Sequence, residues 1–171
     1  MPLKPTEIFE CLERHQVRYA VIGMLAATIH GAPLNTVDAD ICPAADAENL
    51  ERLARALREL QAQLRSEDSL GLVNGGPIAS PFECTAERLA MADVFELVTR
   101  AGELDIVFRP AGTNGLQDLE SRAVTVRLGG VAVRVASLAD VIRSKEAANR
   151  PKDQRTLPML RQLAEELRKR R

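Results

Sequence analysis

The sequence is poor in aromatic residues and contains no tryptophan. Phe, Trp and Tyr together make up 3% of its 171 residues. Proteins that hold single-stranded nucleic acids by base stacking need several aromatic rings, so the composition argues against that class. The hydrophobic content of 46% is still enough for an ordinary core. We therefore predict a core built from Leu, Val, Ile and Ala.

Cysteine and histidine are also scarce. The three cysteines, Cys11, Cys42 and Cys84, are widely separated, and the two histidines are His15 and His30. An odd, scattered set of cysteines is typical of reduced thiols and not of a disulfide framework. The spacing predicts no cluster of cysteine and histidine ligands for zinc.

Long apolar runs are missing. No segment approaches the roughly 20 apolar residues that a membrane-spanning helix needs. The first ten residues lack the apolar centre of a signal peptide. The two absences together predict a cytoplasmic protein without a membrane partner.

Charge is nearly balanced over the whole chain but unevenly distributed. The formal net charge is −1. Residues 143–171 contain 10 Lys and Arg against 4 Asp and Glu, whereas residues 1–142 contain 13 against 20. A basic segment on an acidic body indicates an anionic partner such as a nucleic acid. The structural alternative is a solvated helix end, where Lys and Arg complement the helix dipole.

Hydrophobic periodicity and turn residues predict alternating helices and strands. Strands are predicted at residues 17–22, 36–42, 94–99 and 104–108, with a hairpin at 123–128 and 131–135. Helices are predicted at 6–15, 24–30, from 46 to about 64, at 85–91, at 137–149 and from 151 onward, while 66–81 is Gly-rich and irregular. We take Thr6, Asp46 and Ser137 as helix caps.

This order predicts an α/β or α+β fold, with a mixed sheet flanked by helices and further helices at the C-terminus. We expect residues 1–171 to form a single domain, with a core at about 15–136 and a helical part at about 137–171.

Two carboxylates in the second predicted strand are the first candidate for chemistry. Asp38 and Asp40 are two residues apart, so they project from the same face of a strand. Val37, Ala39 and Ile41 are then expected to face a core. Two carboxylates about 6–7 Å apart along a strand can converge on one hard cation. A solvent-facing pair at a strand edge is the alternative.

Asp105 is a third candidate, inside the otherwise apolar strand at 104–108. A lone Asp there is unfavourable unless it has a partner or lies on a polar face. If this strand lies beside that of Asp38 and Asp40, the three carboxylates can hold two Mg²⁺ ions around a transferred phosphoryl group. The carboxylate nearest an incoming hydroxyl can also accept its proton.

Two further segments suit phosphate binding. Gly23 and Met24 follow the first strand at the start of a helix, where backbone N–H groups can bind phosphate oxygens. Lys145 lies on a predicted helix, and Arg150, Lys152 and Asp153 lie at the break after it; together they bring cations for a triphosphate. Each segment alone is also compatible with ordinary helix ends and solvated surfaces.

Taken together, these segments resemble the DNA polymerase β-like nucleotidyltransferase superfamily. The resemblance rests on Ile22-Gly23-Met24, on Asp38-Ala39-Asp40 after a helical spacer, and on Asp105 in a later strand. Residues 141–153, with Lys145 and the Lys152-Asp153 pair, are similar to the toxin-type branch, which includes the AbiEii and MenT-like toxins. The resemblance covers roughly residues 15–160.

The resemblance implies a function and roles for these residues. Asp38, Asp40 and Asp105 would hold Mg²⁺, and Asp105 would activate the acceptor hydroxyl. Gly23, Met24, Lys145, Arg150, Lys152 and Asp153 would bind the nucleotide. The implied activity is transfer of a nucleoside monophosphate from an NTP to tRNA or another RNA, by the toxin of a toxin–antitoxin system with an antitoxin protein as partner.

Two positions depart from the pattern of that superfamily: Met24 replaces a residue that is often Ser, and Leu34 stands in a turn that often carries Arg. Both departures affect nucleotide binding and leave the three acids intact. Further along the chain, Thr156 occupies a position that is often acidic in the toxin-type branch. Two alternatives therefore stay open: a nucleotidyltransferase that modifies a small molecule such as an antibiotic, and a non-catalytic regulatory protein that keeps the fold.

Overall fold

The computed structural model describes residues 2–65, 79–80 and 82–170, with the backbone alone at 79–80. The elements in chain order are α1 (Pro5–Arg14), β1 (Tyr19–Ile22), α2 (Gly23–Ile29), β2 (Asp38–Pro43), α3 (Ala47–Glu59), β3 (Gln63–Arg65), β4 (Ala79–Ser80), α4 (Ala86–Leu89), β5 (Val94–Thr99), β6 (Gly102–Val107), α5 (Leu116–Glu120), β7 (Val124–Leu128), β8 (Val131–Val135), α6 (Leu138–Ala148) and α7 (Pro151–Lys169). Among the described residues, no helix combines the length and apolar character needed to cross a bilayer.

The strands form one mixed sheet in the order β4-β3-β5-β6-β2-β1-β8-β7. At its centre, β2 pairs antiparallel with β1 and parallel with β6. β1 also pairs parallel with β8. The mixed sheet with flanking helices, including two at the C-terminal end, confirms the predicted fold class.

Local sequence signals explain several helix boundaries. The Asp46 carboxylate accepts a hydrogen bond from the backbone N–H of Asn49 at the start of α3, and the Ser137 hydroxyl accepts one from the backbone N–H of Asp140 at the start of α6. Both caps satisfy helix N–H groups that have no partner inside the helix. Pro151 occupies the first turn of α7, where its missing N–H costs nothing.

The core is aliphatic, as the composition predicts. Buried Leu, Ile, Val and Ala side chains from both the strands and the helices form one hydrophobic cluster. Its members include Leu53 and Leu57 of α3, Leu104 and Ile106 of β6, and Ile41 of β2, all fully buried. This packing fixes the strands that carry the acidic residues.

Several boundary predictions were wrong. Thr6 lies inside α1 and does not cap it, because the helix begins at Pro5 with Lys4 as its N-cap. Leu64 belongs to β3 and not to the preceding helix, which ends at Glu59. Val37 precedes β2 and is 74% exposed, whereas Ala39 and Ile41 are buried as expected.

Two short elements have no counterpart in the sequence prediction. β3 owes its place to pairing with β5 and β4, and α5 is a helix of five residues. Segments this short carry too few residues for a periodic signal. The predicted irregular segment at 66–81 lies outside the described residues except for β4, which pairs with β3.

Candidate active site

Asp38 and Asp40 lie at the beginning of β2. They alternate with the buried residue Ala39, so both carboxylates are on the face of the strand that is open to a cleft. The hydroxyl of Thr36 donates to the Asp38 side chain at 2.7 Å and is 2.9 Å from its backbone oxygen. Thr36, which lies two residues before Asp38, thereby orients the Asp38 carboxylate. This contact was not predicted from the sequence.

Strand register brings Asp105 to the same place. β6 runs parallel to β2, and Asp105 is the direct partner of Asp40 in this pairing. Each of Asp38, Asp40 and Asp105 offers a carboxylate oxygen, and these oxygens lie within 4.8 Å of one another. The predicted adjacency of the two strands is thus confirmed. We call Asp38, Asp40 and Asp105 the acid cluster.

The acid cluster is electrostatically unfavourable without a cation. Burial, followed by the like charges of Asp38 and Asp105, raises the pKa of Asp40 to about 7, although Lys152 and Lys145 oppose this. Burial is also the main reason that the pKa of Asp105 rises to about 6; Arg65 opposes the rise. Both shifts show that the ionised carboxylates lack sufficient compensation from the protein.

The acid cluster has the donors that a hard divalent cation needs. Carboxylate oxygens are the preferred protein ligands of Mg²⁺. Oδ1 of Asp105 is inaccessible to solvent and accepts no hydrogen bond from the described residues. A buried acceptor of this kind is costly unless it binds something. The residues therefore fit a metal ion at this position.

Gly23 lies against the acid cluster at the start of α2. Its φ is +63°, and a Cβ placed there would come 2.2 Å from Oδ2 of Asp40. Any side chain at this position would strain the backbone and collide with the carboxylate. Gly23 is therefore required for the close approach of the α2 backbone to Asp40.

Cations reach the cleft from α6 and α7. Lys145 Nζ contacts Oδ1 of Asp153 at 3.0 Å, and Arg150 Nε contacts Oδ2 at 2.7 Å. Asp153 is fully buried and does not line the cleft. Although burial opposes it, hydrogen bonds from Arg150 and Lys145 hold the pKa of Asp153 below its usual value. Asp153 positions the two cations from behind, which differs from the direct nucleotide contact that the sequence analysis assigned to it.

The cleft between these groups has a volume of about 380 Å³. Its lining includes an acidic set, formed by the acid cluster beside Gly23 and Met24, and a cationic set, formed by Lys145, Arg150 and Lys152 beside Thr156. Apolar side chains also line it, among them Val94, Val107, Pro110, Leu119 and Val141. Carboxylates, cations and an apolar wall therefore share one cavity, of a size that holds a small-molecule ligand. Leu34, by contrast, does not line it.

Arg65 is a charged neighbour of the acid cluster that the sequence analysis missed. It extends from β3 to Asp105, with Nη2 3.4 Å from Oδ1, and contacts Glu96 and Glu103 as well. Arg65 precedes a Gly-rich segment, and nothing in the sequence indicates which strand its own short strand joins.

A second missed group lines the cleft at the start of α6. Asp140 is 2% exposed, and its carboxylate accepts hydrogen bonds from Arg122 at 2.6 and 3.1 Å and from Ser137 at 2.8 Å. Arg143 is 3.0 Å from the same carboxylate. These contacts fully pair Asp140 and tie α6 to the turn after α5.

The prediction that no cysteine and histidine side chains lie together was wrong for Cys11 and His15. Cys11, His15 and Glu59 offer ligand atoms within 4.8 Å of one another, outside the cleft. In the structure the Cys11 thiol donates to the Ala56 carbonyl, and Glu59 pairs with His15 and Arg14. The group connects α1 to α3. The i, i+4 spacing of Cys11 and His15 could have indicated it.

Comparison with known proteins finds a similar fold among solved structures. Neither a protein-family model nor a curated protein matches the chain. Among solved structures, the chain is similar to a "putative nucleotidyltransferase" from Thermotoga maritima, with a TM-score of 0.53 and 18% identity over 90% of this chain and 87% of that one. At this identity the likeness concerns the fold. The chain shares the fold of that protein.

Proposed function

We propose that the protein transfers a nucleoside monophosphate from an NTP to an acceptor hydroxyl, with Mg²⁺ bound by Asp38, Asp40 and Asp105. The observation that carries this proposal is the meeting of three carboxylates within 4.8 Å in a cleft that also contains Lys145, Arg150 and Lys152. The nucleotidyltransferase fold supports the same reaction class, although fold alone does not determine function.

The two sides of the cleft suit the two ends of such a reaction. Bound Mg²⁺ would neutralise the charge that develops on the transferred phosphoryl group. Lys145, Arg150 and Lys152 would pair with the β- and γ-phosphates, and so stabilise the departing pyrophosphate. The backbone at Gly23 and Met24 would lie along the triphosphate, next to Asp40.

Asp105 is the group we assign to the acceptor. The acceptor oxygen attacks the α-phosphorus, the bond from this phosphorus to the pyrophosphate oxygen breaks, and the hydroxyl proton passes to the Asp105 carboxylate. An ionised carboxylate held beside the acceptor oxygen can take up this proton.

The acceptor we propose is an RNA, tRNA in particular, and the protein would act in the cytoplasm as the toxin of a toxin–antitoxin pair. The supporting observation is the basic character of residues 143–171. Arg150 and Lys152, at the beginning of α7, line the cleft, and Arg155 one turn later is exposed. Exposed cations next to the cleft suit a polyanionic acceptor.

The test incubates the protein with Mg²⁺, each α-³²P-labelled NTP in turn and total tRNA. Label should move to RNA with the wild type and with Asp93→Asn, which changes an exposed Asp outside the cleft, but not with Asp38→Asn. Transfer to an aminoglycoside and not to RNA would replace the RNA proposal with the small-molecule alternative. If no label is transferred and calorimetry detects no binding of Mg-NTP, the enzymatic proposal is contradicted and a regulatory protein is favoured.

The toxin role has a test of its own. Expression of the wild type should arrest bacterial growth, and Asp38→Asn should not arrest it. Equal growth of both strains, at equal amounts of protein, would exclude the toxin role while leaving the transfer reaction untouched.

A further inference from the structure

Cationic side chains near the acid cluster come from two parts of the fold, the helices α6 and α7 and the strand β3. Lys145 and Lys152 enter the cleft from α6 and α7. Arg65 comes instead from β3, which is separated from β6 by β5 alone. Within the described part of the chain, Arg65 is the residue that forms an ion pair with a member of the acid cluster. The charge of Asp105 is therefore compensated differently from those of Asp38 and Asp40.

Arg65 is anchored mainly by residues outside the acid cluster. Its Nη1 is 2.5 Å from Glu103, and its Nη2 is 3.2 Å from Glu96. Both oxygens of Asp105 are further away, at 3.4 Å from Nη2, and Oδ1 accepts no hydrogen bond from the described residues. The guanidinium of Arg65 thus lies beside Asp105 without a hydrogen bond to Oδ1 of this carboxylate. It places a fixed positive charge next to an oxygen that could still bind a metal ion.

We propose that Arg65 makes metal loading of the acid cluster dependent on a polyphosphate, an inference that rests on the proposed function. One divalent ion would bind to Asp38 and Asp40 without help. A second ion, which needs Asp105, would be repelled by the adjacent guanidinium. A triphosphate adds negative charge and oxygen ligands, so the second ion would enter together with it. Arg65 is then a positioning residue that regulates the metal centre.

Equilibrium dialysis with Mn²⁺ tests this proposal without measuring activity. Metal-free protein is dialysed against Mn²⁺, with and without inorganic triphosphate on both sides, and the excess Mn²⁺ on the protein side is counted. Inorganic triphosphate avoids any assumption about the preferred base. The variants are Arg65→Gln, Arg65→Lys and, as a matched control, Arg109→Gln, in which an exposed arginine paired with Asp93 is changed.

The wild type should hold one Mn²⁺ per chain without triphosphate and two with it. Arg65→Gln should hold two in both conditions, because its affinity for the second ion should rise at least about tenfold when the guanidinium is removed. Arg65→Lys keeps the charge and should behave as the wild type, as should Arg109→Gln. This contrast separates the charge of Arg65 from a merely structural role.

Two results would overturn the inference and leave the proposed function intact. They are a wild type that holds two ions without triphosphate, and an Arg65→Gln variant that still holds one. A wild type that binds no Mn²⁺ in either condition would instead remove the metal site and both proposals with it.

If Arg65→Gln does not fold by circular dichroism, Glu96→Gln takes its place. Removing this counter-charge leaves the positive charge of Arg65 less compensated. With triphosphate present, the Mn²⁺ concentration needed to load the second ion should therefore rise several-fold. An unchanged requirement would contradict the proposal.

Discussion

The acidic and the cationic sides of the cleft differ in how their charges are compensated. On the cationic side, Lys145 and Arg150 share the buried carboxylate of Asp153, and hydrogen bonds satisfy it. On the acidic side, three carboxylates approach one another, and the pKa of Asp40 rises to about 7. Lys145 and Arg150 are thus paired within the protein, whereas on the acidic side, within the described residues, Arg65 forms an ion pair with Asp105 alone among the three carboxylates. The two sides therefore differ in kind: α6 and α7 present a preformed cradle of cations, whereas β2 and β6 bring together carboxylates whose charges are not balanced.

The largest expected effect comes from removing one carboxylate of the acidic side. Asp40→Asn should lower nucleotidyl transfer at least about a thousandfold, about 4 kcal/mol of transition-state stabilisation, because a metal ligand is lost. Single-turnover assays with labelled NTP measure the change. Asp93→Asn should keep the wild-type rate. Retention of more than a tenth of the rate by Asp40→Asn would show that the acid cluster does not hold the essential metal.

Removing the carboxylate of the cationic side should affect stability more than chemistry. Asp153→Asn leaves Lys145, whose side chain is only 12% exposed, without its counter-ion, and this should cost about 3 kcal/mol of unfolding free energy. Urea denaturation measures it. The control is Glu165→Gln on the same helix, which changes exposed ion pairs with Arg168 and Lys169 and should cost less than about 0.5 kcal/mol. Equal effects of the two variants would contradict a cradle built around Asp153.

Gly23 lies where the α2 backbone meets the acidic side, and it offers a smaller perturbation. Gly23→Ala should destabilise the protein by about 2 kcal/mol, because of its positive φ and the collision with Asp40. Gly130→Ala is the matched control, since a Cβ there meets no atom within 4 Å. Thermal denaturation of both variants would measure the difference. Similar melting temperatures would show that α2 and Asp40 can move apart easily.

The smallest expected effect is a pH dependence of stability that the acidic side alone causes. The pKa of Asp40 is higher in the folded than in the unfolded state, so the folded state binds its proton more tightly. Stability from this group is therefore present at low pH and is lost as the pH rises from about 4 to about 7. Metal-free wild type should lose about 1 kcal/mol more than Asp40→Asn between pH 6 and 8.

Mg²⁺ provides the complement to that measurement. At pH 8 the ion should restore stability to the wild type and not to Asp40→Asn, because it binds the folded state through the ionised carboxylates. Chemical denaturation with and without Mg²⁺ at both pH values gives the four numbers required. Parallel pH profiles of wild type and variant would mean that the repulsion within the acid cluster is relieved in some other way.

Much of the site could be predicted from the sequence because its residues lie in elements with strong local signals. The alternation of Asp38, Ala39 and Asp40 predicts two carboxylates on one face of a strand. The apolar run around Asp105 predicts a strand, and the cap at Ser137 predicts the helix that carries Lys145. The prediction of a nucleotidyltransferase fold used these signals together with the spacing of Gly23.

Arg65 was not predicted and Asp153 was predicted to contact the nucleotide directly; both owe their positions to contacts between distant parts of the chain. Arg65 lies on a strand of three residues, and pairing with β5 brings it beside Asp105. Asp153 looks like an exposed polar residue in a basic segment, yet the packing of α6 on α7 buries it completely. Val37 shares the pattern of a core residue and is exposed, because β2 begins one residue later.

By itself, the sequence determined which residues are carboxylates and cations, the faces on which they project, and the class of fold, because periodicity and capping act over a few residues. The tertiary structure decided that Asp105 pairs with Asp40, that Arg65 compensates Asp105 and that Asp153 lies behind Lys145. Strand register and helix packing bring together residues that are far apart in the chain, and the burial of these residues determines how their charges are compensated. Local sequence patterns encode neither the register nor the packing.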